Sequence, residues 1–421
     1  MISLLGLRRT GKSTLMMQTI AKLLQEKIAP KNIFFYSFSE TLEDKNPKTL
    51  EAIINNYFEK IIKNPVKFIN ERVYVLLDEI QYVDNWMAVL KSFYDASSKI
   101  KFIISGSFSL KLQNKDKESL AGRIFELDIS PLDFSEYLSI KYPKESISYD
   151  QKLLLTSFDA KSFDNFDNKL FIEKYSKDFE EFILWGNFPE TIGLSTIEKK
   201  YNYIENSILN KLIENDIPQI FNFKKYDELK LLANALIQES GSMYQIKNLT
   251  EITKINTKTM SKYLKAFEES FLLQVVPSFH RSFHKSNKTL KKSYVTSPNF
   301  TAALLNLRPE NSLLNEIMGK LVETYVLQRL KADSGIKNIH FFRKGQNEID
   351  FVIGSMLIDK KSNWNFVEVK YRNEIKHDDL KFLRKYLLEN NLNKAFVVTK
   401  KRFELIKSPE FELYLIPAIF L

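Results

Sequence analysis

Eight residues near the start of the chain, Gly6-Leu7-Arg8-Arg9-Thr10-Gly11-Lys12-Ser13, have the types and spacing to grip a polyphosphate. Glycines let the main chain wrap closely around phosphates, and consecutive N–H groups at a helix N-terminus hold negative charge. Lys12 would reach the β- and γ-phosphates of ATP, and the Ser13 hydroxyl would ligate Mg2+. Gly6, Arg8, Arg9, Thr10, Gly11, Lys12, Ser13 and Thr14 are therefore the expected nucleotide contacts. A second pair of chemical groups follows in Val73-Tyr74-Val75-Leu76-Leu77-Asp78-Glu79. There Asp78 would hold the magnesium shell through water, and Glu79 would orient or deprotonate an attacking water.

These groups need particular elements to hold them. Ile2-Ser3-Leu4-Leu5 reads as a strand before the loop, and Thr14 to Leu24 carries apolar residues at helical spacing behind it. The apolar run ending at Asp78 reads as a buried parallel strand, whose carboxyl end is where an open α/β sheet places its ligand. Lys101-Phe102-Ile103-Ile104-Ser105-Gly106-Ser107 reads as another strand. Ser105 and Ser107 would sit beside the carboxylates, sensing the γ-phosphate or its water, or would simply form a polar turn. Arg123, in Leu120-Ala121-Gly122-Arg123, is the candidate guanidinium for the transferring phosphoryl group. It would act within one chain or from a neighbour in a homo-oligomer, unless it forms only a structural salt bridge.

In that order, the loop with its paired Arg8-Arg9, the Leu-Leu-Asp-Glu-Ile-Gln strand, Ile-Ser-Gly-Ser, Leu-Ala-Gly-Arg and Pro131-Leu132-Asp133-Phe134-Ser135-Glu136-Tyr137 resemble the archaeal-type ATPases of the AAA+ superfamily. Members often carry a C-terminal nuclease-like domain of unknown function. Trp185-Gly186-Asn187-Phe188-Pro189-Glu190 is similar to the family's Gly-Gly-Phe-Pro turn in the helical lid, with Asn187 replacing the second glycine. The resemblance extends to about residue 215. Relatives usually have residues ahead of the first strand; here there are almost none, so either the start lies upstream of Met1 or a flanking strand is missing.

Further along, Asn256 is a plausible N-cap for a helix over Thr257–Ser270, preceded by helices over Leu232–Glu239 and Leu249–Thr253. Met260, Tyr263, Leu264 and Phe267 make its apolar face, and Lys258, Lys262 and Lys265 share another. The pattern reads as a winged helix with its recognition helix, and those lysines would contact DNA phosphates. Arg281, Lys285, Lys288, Lys291 and Lys292 would add to this from the following hairpin or wing. The alternative is a solvated lysine face. Residues 221–300 hold thirteen Lys/Arg against six Asp/Glu, within a net charge of +10.

In the last hundred residues, Glu323 lies on a helix and Asp350 in the second strand of a hairpin over Phe341–Ile353. Glu368 and Lys370 occupy one face of a later strand. Asp350, Glu368 and Lys370 resemble the PD-(D/E)xK nuclease core, which implies a divalent metal on the carboxylates, with Glu323 as the upstream acid and the lysine steadying developing phosphate charge. His377 and Gln346 are weaker neighbours. A nuclease-like core kept for binding is the rival. His280 and His284 form an i, i+4 pair without a third ligand.

The expected fold class is α/β: a P-loop NTPase parallel sheet (1–135) with a helical lid (136–215), then a winged helix (216–304), then a small PD-(D/E)xK-like α/β domain (305–421). At 421 residues the chain exceeds a single core. No cysteine is present, which excludes disulfides and thiolate sites, and no apolar run reaches membrane-spanning length. The expected setting is cytoplasmic. The function implied is ATP hydrolysis coupled to DNA through the later domains, or a nucleotide-dependent scaffolding switch for protein partners with an inactive nuclease-like domain.

Overall fold

The segment Val73-Tyr74-Val75-Leu76-Leu77 has two apolar faces, and both are used. In the computed structural model, which describes residues 1–38, 46–106, 122–145, 169–279, 290–333, 336, 338–354 and 364–421, it forms β3 (Val73–Asp78). Val73, Val75 and Leu77 pack with Leu50, Ile54, Leu90 and Phe93, whereas Leu76 packs with Leu4 and Met16 on the opposite face. This alternation is what a strand inside a doubly covered parallel sheet requires.

Met1–Ser130, with Glu269–Phe271, form one compact unit. Its strands are β1 (Ile2–Leu5), β2 (Ile33–Ser37), β3, β4 (Ile100–Gly106) and β5 (Phe125–Asp128). All pair in parallel in the order β2-β3-β4-β1-β5. Helix α1 (Lys12–Gln25) covers one face; α2 (Pro47–Tyr57) and α3 (Trp86–Ala96) cover the other. Helix α2 starts where its residues dictate, with Pro47 in the first turn and the Asn46 side chain accepting the Lys48 N–H at 2.9 Å.

The second unit comprises Pro131–Glu268 and Leu272–Leu421. It opens with α4 (Phe134–Lys141), closed by a capping box between Asp133 and Glu136. Helix α5 (Lys169–Glu181) runs into a π-helical turn, Phe182–Gly186, and further helical segments follow to Phe221. Next come α6 (Tyr226–Gln238), β6 (Ser242–Tyr244), α7 (Ile246–Thr253), α8 (Thr257–Glu269), β7 (Leu273–Pro277) and β8 (Lys291–Val295). The three strands form an antiparallel sheet with β8 in the centre.

After α9 (Pro298–Leu304) and the long α10 (Ser312–Ala332), a mixed sheet closes the chain. It contains β9 (Asn338–Lys344), β10 (Asn347–Gly354), β11 (Trp364–Lys370), β12 (Lys394–Thr399), β13 (Glu404–Lys407) and β14 (Glu412–Pro417) in the order β13-β14-β12-β11-β10-β9. Helix α11 (Lys381–Glu389) follows β11, and its Leu383 and Leu387 share a core with Ile349, Val352, Phe366 and Val397. The N-terminal parallel sheet, the helical region and a separate later sheet make the chain α/β. No helix among the described residues is long and apolar enough to cross a membrane.

The turn at Trp185–Glu190 differs from the double-glycine pattern for a clear reason. Asn187 has φ −73 and needs no glycine. Gly186 does, because a Cβ there would lie 2.8 Å from the Tyr137 ring. The fully buried Asn187 side chain instead donates to the Leu132 carbonyl at 2.8 Å and accepts from the Ser297 hydroxyl at 2.8 Å. Asn299 completes the network: its Oδ1 accepts the Asn187 N–H, and its Nδ2 donates to the Phe182 and Ile183 carbonyls. Gln328 donates to the Pro131 carbonyl, and Arg329 pairs with Asp133 at 3.1 Å. Replacing Asn299 by Ala strands several buried polar groups. Asn299→Ala should therefore lower the unfolding free energy of this unit by about 2–4 kcal/mol in denaturant titration.

Candidate functional site

The strand-to-loop transition rests on close main-chain approach. Gly6 has φ 151, and a Cβ at this position would stand 2.3 Å from the Ile129 carbonyl oxygen. The Ile129 N–H donates to the Leu5 carbonyl at 2.6 Å, so β5 follows β1 into the loop. Arg9 (φ 63) and Gly11 (φ 92) are left-handed, and the Thr10 hydroxyl ties the curve to the Leu7 carbonyl at 3.0 Å. The buried Lys12 ammonium donates to the Leu7 and Gly6 carbonyls at 2.7 and 3.2 Å. Helix α1 begins with no side-chain cap and no acidic residue in its first turn. Ser13 and Thr14 are exposed there, and the space beside Gly11 is open. A left-handed loop with an ammonium group, leading into uncapped helix N–H groups, fits a polyphosphate.

Strand order then sets the acids. β3 lies one strand beyond β4 from β1, a separation of about 10 Å between the two strand axes. The buried Asp78 carboxylate accepts from the Ser105 hydroxyl, and Ser105 Oγ accepts the Glu79 N–H at 3.2 Å. Ser105 therefore links both acidic residues. Glu79 is left-handed (φ 55), which turns the chain out of the sheet, and Gln81 Nε2 donates to its carboxylate. Gln81 was invisible as a partner in the sequence, because the tie depends on that turn. Ser107 lies outside the described residues, as do His280, Arg281, His284, Lys285 and Lys288.

Arg123 is placed differently from the in-chain expectation. It precedes β5, whose Phe125 pairs with Ile2, and the Met1 ammonium donates to the Arg123 carbonyl at 2.8 Å. It thus stands at the amino-terminal edge of a parallel sheet whose loop lies at the other edge. Its guanidinium pairs with Asp95 at 3.3 Å. Within one chain Arg123 does not face Lys12.

The basic helix α8 matches its spacing. Asn256 Oδ1 accepts the Thr259 N–H at 2.9 Å; Met260, Tyr263, Leu264 and Phe267 are buried, and Lys258, Lys262 and Lys265 are exposed on one face. Lys292 corrects the wing assignment. It is only 3% exposed, on the central strand β8, and so is unavailable to phosphates, whereas Lys291 is exposed.

Glu323, Asp350, Glu368 and Lys370 do come together. A bulge in β10 between Ile349 and Val352 lets both apolar residues enter the core with α11 and re-aims the residues between them. Asp350 Oδ2 accepts the Val369 N–H at 2.7 Å, and Glu368 pairs with Lys370 while its Oε2 is buried without a partner. Burial, then the neighbouring Glu368 and Glu323 charges, push the Asp350 carboxyl well above its usual range. Burial raises Glu368 too, against the pull of Lys370.

The expected metal at Glu323, Asp350 and Glu368 does not match this geometry. The Lys292 ammonium reaches into the cluster, 3.1 Å from Glu323 Oε1, against Glu348, and 3.9 Å from Asp350 Oδ1. The Tyr294 hydroxyl donates to Glu323 at 2.6 Å. Burial alone would lower Lys292, but Glu323, Asp350 and Glu348 outweigh it and keep the amine charged. No trio of acidic or histidine side chains among the described residues stands in metal-holding geometry. Neither Lys292 nor Glu348 had a sequence signal for this role, since their meeting depends on two separate sheets.

Residues 1–138 match the family described as AAA domain, so the N-terminal third carries an AAA-type domain. Residues 176–311 and 318–415 match two domains of unknown function, DUF8612 and DUF4143. An uncharacterized protein of Methanocaldococcus jannaschii is 29% identical over 316 residues, covering 72% of this chain and 62% of its own, less than two thirds of that relative's length. An uncharacterized Haemophilus influenzae protein is 26% identical over 356 residues, covering 82% and 80%. Among solved structures, the Aeropyrum pernix ORC1 protein in complex with DNA covers 72% of this chain and 86% of its own, at 12% identity and a TM-score of 0.28. That likeness is too slight to bear on fold or function.

The two loop glycines differ in what surrounds them. Gly6→Ala drives a Cβ into the Ile129 carbonyl and should lower the melting temperature clearly more than Gly11→Ala, which meets only backbone strain. Thermal denaturation of the nucleotide-free proteins checks the order.

Proposed function

We propose that the chain binds Mg–ATP at Gly6–Thr14, hydrolyses it, and couples that cycle to holding DNA. The observation that carries this reading is the Lys12 ammonium folded onto its own loop, next to a Gly11 with open space beside it, with Asp78 and Glu79 tied through Ser105 across the same sheet edge. Lys12 would exchange its two carbonyl partners for phosphate oxygens. The Ser13 hydroxyl and the Asp78 carboxylate would hold the magnesium, which supplies charge neutralisation at the phosphates when bound. Glu79, positioned by Gln81, would orient a water and accept its proton. Arg123 enters this reading only as a group offered to a neighbouring copy of a homo-oligomer.

The order α6-β6-α7-α8-β7-β8, with β8 central, supports a winged-helix reading in which α8 meets DNA through Lys258, Lys262 and Lys265. The order α10-β9-β10-β11-α11-β12 supports a nuclease-like fold for the last domain. The second reading, a scaffolding switch with an inactive nuclease-like domain, draws support at that domain from Lys292.

Lys12→Ala should abolish ATP binding, measured by loss of the ATP-induced rise in melting temperature. Glu79→Gln should keep that rise and lose phosphate release. Normal hydrolysis by both variants would overturn the assignment. Neutralising Lys258, Lys262 and Lys265 together should weaken duplex binding at low salt. The slope of log K against log salt should fall by about 2–3, since each lost phosphate contact contributes roughly 0.9. An unchanged slope would assign these lysines to solvation.

A further inference from the structure

We propose that Lys292 is a built-in counter-cation: its ammonium fills the place of a divalent metal in the carboxylate cluster of the C-terminal sheet and closes that cluster to metal ions. Four acids meet here, Glu323 from α10, Glu348 and Asp350 from β10 and Glu368 from β11, all within one compact unit. Carboxylates clustered with this little exposure need positive charge among them. The chain supplies two ammonium groups from two strands, β8 and β11. Lys370 holds Glu368, and Lys292 faces Glu323, Glu348 and Asp350.

The supply from β8 is what sets this cluster apart. Lys292 sits on the central strand of the three-stranded sheet, paired with Met243 and Val276, so its backbone is held on both sides. Its side chain is 4% exposed and passes the Tyr294 and Phe341 rings, with Nζ 5.8 and 5.7 Å from their centroids. Tyr294, two residues on, donates to the same Glu323 oxygen that accepts from Lys292. A surface lysine could step aside for an ion; this one has a walled path and fixed partners.

Ligand supply leads to the same conclusion. Oxygen-ligated divalent metals need several oxygens at about 2.0–2.6 Å. Asp350 Oδ2 is engaged by the Val369 N–H, Glu368 Oε1 by Lys370 and Glu323 Oε1 by Lys292 and Tyr294. The unpartnered Glu368 Oε2 offers a ligand, but the remaining Asp350 oxygen already faces the ammonium, and no trio of acidic or histidine side chains among the described residues stands in metal-holding geometry. An incoming metal would have to displace Lys292 against three carboxylates. The cluster thereby joins the β6-β8-β7 sheet to the last domain as an ionic seam. This inference stands apart from the nucleotide and DNA readings, and its test is read without either ligand.

The nucleotide-free full chain is titrated with Mn2+, and uptake is followed by loss of the free-ion EPR signal. The wild-type chain should show no uptake that Asp350→Asn removes. Lys292→Met should take up one ion per chain, at least about tenfold more tightly than the weakest affinity the titration could have detected in the wild-type chain, the scale on which neighbouring groups shift metal affinity. Adding Asp350→Asn should abolish that gain. Because Lys292→Met leaves buried acids without their counter-charge, the Lys292→Met/Glu348→Gln pair, which removes one acid with the base, is titrated beside it, with near-UV circular dichroism reporting folding. An Asp350-dependent Mn2+ site in the wild-type chain overturns the proposal. So does a folded lysine variant that binds Mn2+ no better than wild type. Should neither variant fold, the wild-type titration decides alone.

Discussion

Strands that run in parallel all finish at one edge of their sheet, and this constraint governs the N-terminal unit. With β1, β3 and β4 aligned, the loop after Leu5, the acids after Leu77 and Ser105 emerge on the same side. Gly6 makes the exit from β1 passable, because the chain there presses against the Ile129 carbonyl. The same alignment removes Arg123 from the site, since a residue that precedes its strand must lie at the opposite edge.

The second unit obeys a different rule, the cost of uncompensated charge in the interior. Asp350 and Glu368 lie deep enough that burial dominates their titration, and the fold meets this with amines from two directions. One of these amines lies two residues from the acid it serves, and the other comes from another sheet altogether. The helical region applies the same principle to neutral groups. Asn187, Ser297 and Asn299 answer one another and the carbonyls of the π-helical turn, with no charge involved.

Local patterns were readable from the residues alone. The loop, the β3 run ending at Asp78, the capped α8 with its buried Met260–Phe267 stripe, and the β9–β10 hairpin about Gly345 each arise from short-range spacing. What escaped were relations set by distant chain. Lys292 reads as one more basic wing residue until β8 is seen to be the central strand. The β10 bulge leaves no mark in an apolar run where Ile349 and Val352 are both plausible core residues. Asn187 looks like a degraded glycine turn, yet its worth lies in partners over a hundred positions away. Strand direction, not residue type, decided Arg123.

The segment Pro131-Leu132-Asp133, where the second unit begins, is held by Gln328 and Arg329, 196 or 197 positions later. Its own first helix therefore has its local cap and Asn187 early but lacks Gln328 and Arg329 until most of the polypeptide has been made. The N-terminal unit has nearly all of its sequence early, but its neighbour must wait for α10. A helix put in place of α10 would have to reproduce that grip on the Leu132 carbonyl and the Asp133 carboxylate.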